Sequence, residues 1–211
     1  MSFYVETPEP GLRFGDVVIG FVATSTEFKV PCADTPPAWR LKVTAAKYFA
    51  VLSPCCSIER GTLLLAPLLP VRAAFLSNAH LASDLLRLNE PVAPERQLPE
   101  HAWERLPDEE KTKRLAEGDA FIFMECFIFA PHPLLGKYMM QLKSGPEEHA
   151  AYMIDFSTAF RLECDAIARD KPAPPGTKLL QLTIRTRGLL RSKVAAYFNR
   201  IPDEDLVGVN G

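Results

Sequence analysis

The stretch Phe121-Ile-Phe-Met-Glu-Cys-Phe-Ile-Phe129 decides the expected fold of this 211-residue chain. Phenylalanine occupies positions 121, 123, 127 and 129, and most of the positions between them are also apolar, so both faces of a strand here would be covered. This strand is therefore the best candidate for the centre of the core. Glu125 lies on the phenylalanine face, where an ionised carboxylate needs a partner.

Strand-like patterns lie on both sides of this stretch. They are runs of β-branched, aromatic and aliphatic residues bounded by glycine, proline or polar residues. These runs occupy positions 14–24, 42–44, 47–53, 62–69, 152–156, 159–163 and 179–184. The pattern predicts an α+β fold with a predominantly antiparallel, SH3-like or barrel-like sheet of seven or eight strands.

Two regions have helical spacing instead. Leu81, Leu85 and Leu88 recur at this spacing behind Ser77, which is a suitable N-cap, and they predict a helical excursion over residues 77–117. A second stripe at i, i+4, i+7 and i+11 predicts an amphipathic C-terminal helix over residues 186–201. That stripe consists of Leu190, Val194, Tyr197 and Ile201.

Length and composition bound the domain organisation. A chain of 211 residues with 47% apolar and 24% charged residues is typical of one globular domain, and its 19 prolines favour many short elements. We expect a single domain over residues 1–211. Its parts are a barrel half at 14–70, the helical excursion, further strands at 120–184 and the final helix.

Charge, cysteine content and the absence of common motifs narrow the function classes. A net charge of −2 supplies no general attraction to nucleic acid or anionic membranes. The start of the chain lacks a secretory signal, and no apolar run reaches the ~20 residues needed to cross a bilayer. Five cysteines without a regular framework favour reduced thiols in the cytoplasm. Phosphate-binding, dinucleotide and hydrolase motifs are absent, so no cofactor is expected.

The paired cysteines Cys55 and Cys56 follow Pro54, where an apolar strand ends. Cys56 could act as a nucleophile if a histidine generated its thiolate, and the sequence does not choose among the candidate histidines 80, 101, 132 and 149. The alternative is that the pair only fills the core. Cysteine ligands spaced two to four residues apart, as in structural zinc sites, are absent, so no metal is expected.

Surface candidates come from basic and aromatic residues. Arg187, Arg191 and Lys193 belong to a basic cluster that could bind phosphates, and the alternative is a solvated rim beside the Leu190 stripe. Trp39 and Trp103 each follow a loop-like segment. Each is either an anchor of a binding surface or an ordinary exposed side chain.

Three segments of the first 70 residues follow one another in a particular order and spacing. They are Gly15-Asp-Val-Val18, Lys47-Tyr-Phe-Ala-Val-Leu-Ser53 and Leu63-Leu-Leu-Ala-Pro67. Together they resemble the opening of the growth-arrest endoribonuclease toxins of the MazF and PemK type. The likeness covers residues 14–70, about a quarter of the chain. It implies a small SH3-like barrel.

The resemblance also implies where phosphodiester chemistry would be located. The family uses an arginine before the second apolar strand and a hydroxyl residue just after the Ala-Pro pair. Lys47 occupies the first position and Leu68 or Leu69 the second. Lysine lacks the bidentate fork of arginine, and leucine supplies neither a proton nor a hydrogen bond. The catalytic positions are therefore not matched.

These observations together predict a cytoplasmic, non-enzymatic interaction module, an accessory component of a bacterial toxin-like or defence system. Its expected partner is a protein, with nucleic acid as the alternative, and a strand edge or the last helix could also form a homo-oligomer. The alternative function is a cysteine-dependent hydrolase using Cys56 or a degenerate nuclease using Lys47.

Overall fold

A computed structural model describes residues 2–29, 38–44, 46–90, 105–116, 125–163 and 177–199. The chain divides into two compact units, each made from two stretches of sequence. The first unit consists of Met1–Leu69 and Ser157–Thr183, and the second of Pro70–Phe156 and Ile184–Gly211. The fold is α+β with mostly antiparallel sheets, which confirms the predicted class. The single-domain organisation stays a prediction.

The strands and helices within these described ranges are numbered along the chain. The strands are β1 (Val17–Ile19), β2 (Ala23–Lys29), β3 (Ala38–Thr44), β4 (Phe49–Val51), β5 (Thr62–Pro67), β6 (Leu69–Pro70), β7 (Cys126–Phe129), β8 (Tyr138–Leu142), β9 (Gly145–His149), β10 (Tyr152–Asp155), β11 (Phe160–Glu163) and β12 (Thr177–Leu180). The α-helices are α1 (Cys55–Glu59), α2 (Ala73–Leu76), α3 (Ala79–Ala82), α4 (Asp108–Ala116) and α5 (Ile184–Phe198).

A five-stranded antiparallel sheet, in the order β11-β5-β4-β1-β12, forms the first unit. Its two outer strands are not paired with each other, so the described strands do not close into a barrel as predicted. Fully buried side chains cover one face of the sheet and hold the unit together by apolar burial. They include Leu12, Val18, Phe49, Val51, Ile58, Leu63 and Leu65.

The strand predicted over residues 14–24 is divided into two. Gly20 has φ 93°, a conformation that a residue with a side chain rarely adopts, and it lies between the end of β1 and the start of β2. β2 then leaves the five-stranded sheet and pairs with β3. The loop-like segment that precedes Trp39, residues 31–37, lies outside the described residues.

A buried ion pair holds the start of β1 against β12. The Asp16 side chain is completely buried, and its Oδ2 lies 2.7 Å from Nζ of Lys178, whose side chain is 8% exposed. The same ammonium donates to the carbonyl of Gly11 at 2.8 Å and to Oε1 of Gln181 at 2.9 Å. The backbone N–H of Arg13 donates to Asp16. Because both charges have several partners, the pair can persist away from water.

The second unit has its core on the Phe-rich strand. β7 pairs antiparallel with β10 in a sheet of order β6-β10-β7, and all four residues of β7 are buried. The prediction of a strand covered on both sides is confirmed for residues 126–129, and Phe121 to Met124 lie outside the described residues. Ile128 of this strand belongs to a buried core cluster whose other members include Val71, Phe75, Leu81, Leu88 and Met153.

The side chain of Asn89 forms two hydrogen bonds with the backbone of β7. Its Nδ2 donates to the carbonyl of Ile128 at 2.6 Å, and its Oδ1 accepts the N–H of Ile128 at 2.7 Å. The asparagine amide therefore replaces the next strand of the sheet. Asn89 ends a 3-10 turn at Leu85–Asn89, so the helix predicted from Leu81 to Leu88 is in fact α3 followed by this turn.

The sequence patterns did not predict the hairpin of β8 and β9. Its strands pair antiparallel from Tyr138↔His149 to Leu142↔Gly145, leaving a two-residue turn. Gly145 has φ 123°, which permits this tight turn. β9 consists of Gly-Pro-Glu-Glu-His, residue types that are depleted in strands, and this composition hides the strand pattern.

Candidate functional site

The most unusual surface of the first unit is the ribbon formed by β2 and β3. These strands pair antiparallel over seven residues each, from Ala23↔Thr44 to Lys29↔Ala38. Within the described chain neither strand belongs to a larger sheet. A two-stranded ribbon by itself has few interactions to hold it, so any surface that covers it would stabilise it.

One side of this ribbon is apolar and open to solvent. Because side chains alternate along a strand, Trp39, Leu41 and Val43 share a face, and the register places Phe28 of β2 on it directly opposite Trp39. Trp39 is 72% exposed and Leu41 68%. We call this surface the ribbon face; its residues are Val22, Thr24, Thr26, Phe28, Trp39, Leu41 and Val43.

The ribbon face has no charged residue and its side chains are graded in size. Phe28 and Trp39 form a ring pair with centroids 4.8 Å apart at one end. Leu41 stands opposite Thr26 in the middle, and Val43 opposite Thr24 at the other end. The charged side chains of the ribbon belong to the opposite face, where Glu27 pairs in register with Arg40 and Lys42 follows. This separation is the pattern of a sheet face that packs against another layer.

The reactive candidates of the sequence are placed in the first unit. Cys56 lies on α1 and is exposed, and Lys47 is exposed with its Nζ 5.1 Å from the ring centroid of Tyr48. The histidines at positions 80, 132 and 149 belong to the second unit, and the described part of the first unit contains no histidine.

The described surroundings of these candidates are structural. Gly61, with φ 72°, closes α1 by donating to the carbonyl of Ile58, and the buried Ser53 hydroxyl accepts the N–H of Leu64 at 2.5 Å. Leu68, at one of the two positions where the resemblance expects a hydroxyl, is buried. These contacts hold the start of β5.

The basic cluster of the last helix is divided by burial. Arg191 is exposed and Arg187 is half-buried on α5. Lys193 is 4% exposed, and its ammonium donates to the carbonyl of Leu88. Burial lowers the pKa of Lys193, and the nearby Cys126 and Glu125 oppose this shift. The structure therefore places Lys193 inside the second unit and not on the predicted basic surface.

Glu125 has the partner that its position predicted. Arg72 donates to Glu125 Oε1 at 3.3 Å and to Asp155 Oδ2 at 3.0 Å, so one guanidinium joins the two carboxylates. All three side chains are partly exposed, and Arg72 also lies 5.5 Å from the ring centroid of Phe75. Such a cluster can orient the start of α2 and the ends of β7 and β10.

The described residues contain no group of three or more histidine, cysteine, aspartate or glutamate side chains arranged to hold a metal ion. Cys126 is buried in the core of the second unit. Burial raises the pKa of its thiol to about 12. A thiol in this state stays protonated and is a weak ligand and nucleophile.

The two described thiols should differ in reactivity. In a variant with Cys32, Cys55 and Cys164 replaced by serine, we expect a maleimide at mildly alkaline pH to label Cys56 at once. Cys126 should react at least about 100-fold more slowly, because its thiol is buried and protonated until the unit opens. Peptide mass mapping over time measures both rates, and equal rates in the folded protein would contradict this placement.

The search for related proteins gives no family for this chain: no family model, curated protein or solved structure matches it. The described part of the chain also contains no helix that is long and apolar enough to cross a membrane.

Sequence reasoning named one residue of the ribbon face, Trp39, and missed the others. The strand predicted at 42–44 begins four residues earlier, at Ala38. The signal was present, because Trp39, Leu41 and Val43 alternate with Arg40 and Lys42. Trp103 lies outside the described residues.

Proposed function

We propose that this chain is a non-enzymatic interaction module that binds another polypeptide through the ribbon face. The observation that carries the proposal is the continuous exposure of four large apolar side chains, Phe28, Trp39, Leu41 and Val43, on one side of a two-stranded ribbon. With Val22 they expose roughly 500 Å² of apolar surface, on the scale of the patches that mark binding sites.

The chemistry of the ribbon face favours a protein over a nucleic acid. A surface that binds nucleic acid combines aromatic side chains with cations that meet phosphates. Here Arg40 and Lys42 alternate onto the opposite face, and the apolar side contains the aliphatic residues Leu41 and Val43. Aliphatic side chains gain most by excluding water against other apolar side chains.

The biological setting is part of the same proposal. The resemblance of residues 14–70 to the MazF and PemK type supports an SH3-like sheet and an accessory role in a bacterial toxin-like or defence system. The cysteine content supports a cytoplasmic location. The apolar residues Leu190 and Val194 support an amphipathic last helix. Its Arg187 and Arg191 would form a second contact surface.

Site-specific photo-crosslinking in the native cell tests the ribbon face. With benzoylphenylalanine in place of Leu41, we expect one discrete covalent adduct with another polypeptide, because this position lies in the middle of the apolar surface. The same probe in place of Lys42, on the opposite face, should give at least about tenfold less adduct. Denaturing gels and mass spectrometry measure both.

The adduct should also depend on the neighbouring aromatic side chain. Adding Trp39→Ser to the Leu41 probe should abolish it, since a large buried aromatic residue supplies much of the binding energy of an interface. Equal labelling from positions 41 and 42, or no adduct from either, would overturn the proposal.

A further inference from the structure

We propose that the polypeptide bound by the ribbon face is a second copy of this chain, in a twofold arrangement with the two ribbon faces packed together. This inference rests on the proposed function and names its partner. Three features of the ribbon face support it, namely its charge, its gradient of side-chain size and its area.

The ribbon face can meet itself without electrostatic cost. Its residues are apolar or are threonine, so two copies bring no like charges together. Glu27, Arg40 and Lys42 alternate onto the opposite face and would remain in water. A partner chosen by charge would need a complementary charged surface, and the ribbon face offers none.

The gradient of side-chain size is complementary to itself under one particular twofold axis. This axis lies midway between the two sheets, parallel to their planes and perpendicular to their strands. It reverses the order of the cross-strand residue pairs, so the aromatic end of one ribbon meets the Val43 end of the other. Trp39 of one copy then lies over Val43 of the other, and Phe28 lies over Thr24. Large side chains meet small ones, so the two ribbons can keep the uniform separation of about 10 Å that packed sheets have.

The same axis places Leu41 opposite Leu41 of the second copy. Thr26 likewise meets its own counterpart in the middle layer. This self-pairing is the defining property of an isologous interface. A substitution of Leu41 therefore changes two side chains that contact each other in the dimer.

The area is sufficient for a reversible dimer. The apolar surface of the two faces together is roughly 1,000 Å², near the lower bound for a specific interface. Packing would turn two exposed two-stranded ribbons into a four-stranded sandwich with a dry interior. This arrangement removes the instability of a ribbon that has no covering layer.

Sedimentation equilibrium of the purified full chain tests the inference. We expect a mass that approaches twice 23.5 kDa as the concentration rises. Leu41→Lys should raise the dissociation constant roughly 100-fold or more, because it buries two ammonium groups against each other. The matched control Lys42→Ser, on the opposite face, should leave it unchanged. A chain that stays monomeric at millimolar concentration overturns the inference.

A charge-pair experiment guards against a variant that merely fails to fold. Leu41→Lys and Leu41→Glu should each be monomeric alone and should form a dimer when mixed, because opposite charges then meet at the axis. A dimer that persists in Leu41→Lys, or a mixture that stays monomeric, overturns the twofold arrangement.

The two proposals fail in different ways. A monomeric purified chain, together with an adduct of another mass from the Leu41 probe in cells, would keep the interaction module and remove the second copy as its partner. A monomeric chain and no adduct from position 41 would remove both.

Discussion

Replacing Lys178 with methionine is expected to lower the free energy of unfolding by about 3–5 kcal/mol, because the Asp16 carboxylate is then buried without its ammonium partner. The Asp16 side chain is completely buried, and its Oδ2 lies 2.7 Å from Lys178 Nζ. The carbonyl of Gly11 and the amide of Gln181 lose a donor as well. Methionine has a similar length, so the loss reports on the charge and its hydrogen bonds. Urea denaturation measures it.

Two further variants separate the charge from other causes. Adding Asp16→Asn to Lys178→Met should recover at least about 1 kcal/mol, because no charge then remains buried at this place. Lys137→Met is the matched control, since Lys137 pairs with Glu148 at a site where the side chains are 65% and 53% exposed. Its expected effect is below about 1 kcal/mol. Equal losses at Lys178 and Lys137 would contradict the structural role of the buried pair.

Replacing Asn89 with alanine should lower the free energy of unfolding by about 2–5 kcal/mol, since two buried backbone groups lose their partners. The Asn89 amide both donates to the carbonyl of Ile128 and accepts its N–H, at 2.6 and 2.7 Å. Among the described strands β7 lies at the outer side of its sheet, so none of them offers these groups an alternative. Urea denaturation measures the loss.

Hydrogen exchange at Ile128 distinguishes this mechanism from a simple loss of packing. The N–H of Ile128 should exchange faster in Asn89→Ala. Asn89→Asp keeps an acceptor for this N–H, although it removes the donor to the carbonyl and adds a buried carboxyl group. Asn199→Ala, at an exposed position after α5, is the control and should change the stability by less than about 0.5 kcal/mol. Unchanged exchange at Ile128 in Asn89→Ala would refute the role of the amide.

Local sequence patterns predicted the elements that form the buried core. The alternation around Phe127 and Phe129 predicted a strand covered on both sides, and β7 has all four residues buried. The same pattern predicted that Glu125 needs a partner, and Arg72 provides it. These predictions succeeded because the burial of a long apolar run constrains both its conformation and the charges beside it.

The candidate site was less predictable because its residues break the usual rule for burial. Trp39, Leu41 and Val43 have the period of a strand, but an exposed ribbon alternates in the same way as a half-buried strand. Only the three-dimensional structure shows that the apolar side is the one left open. Lys193 is the opposite case. A lysine in a basic segment is usually exposed, whereas the ammonium of Lys193 is buried in the core and donates a hydrogen bond to the backbone carbonyl of Leu88.

The sequence by itself determined the α+β class, the antiparallel character of the sheets and the central strand, because period-two burial and turn residues act over a few neighbouring positions. The tertiary structure alone decided that the described strands do not close into a barrel, that Asp16 meets Lys178, that Asn89 completes β7, and that the described chain leaves the ribbon face open. Each of these depends on groups far apart in the chain. Hydrogen-bond partners and exposure at such distances follow from how whole elements pack, which no local pattern encodes.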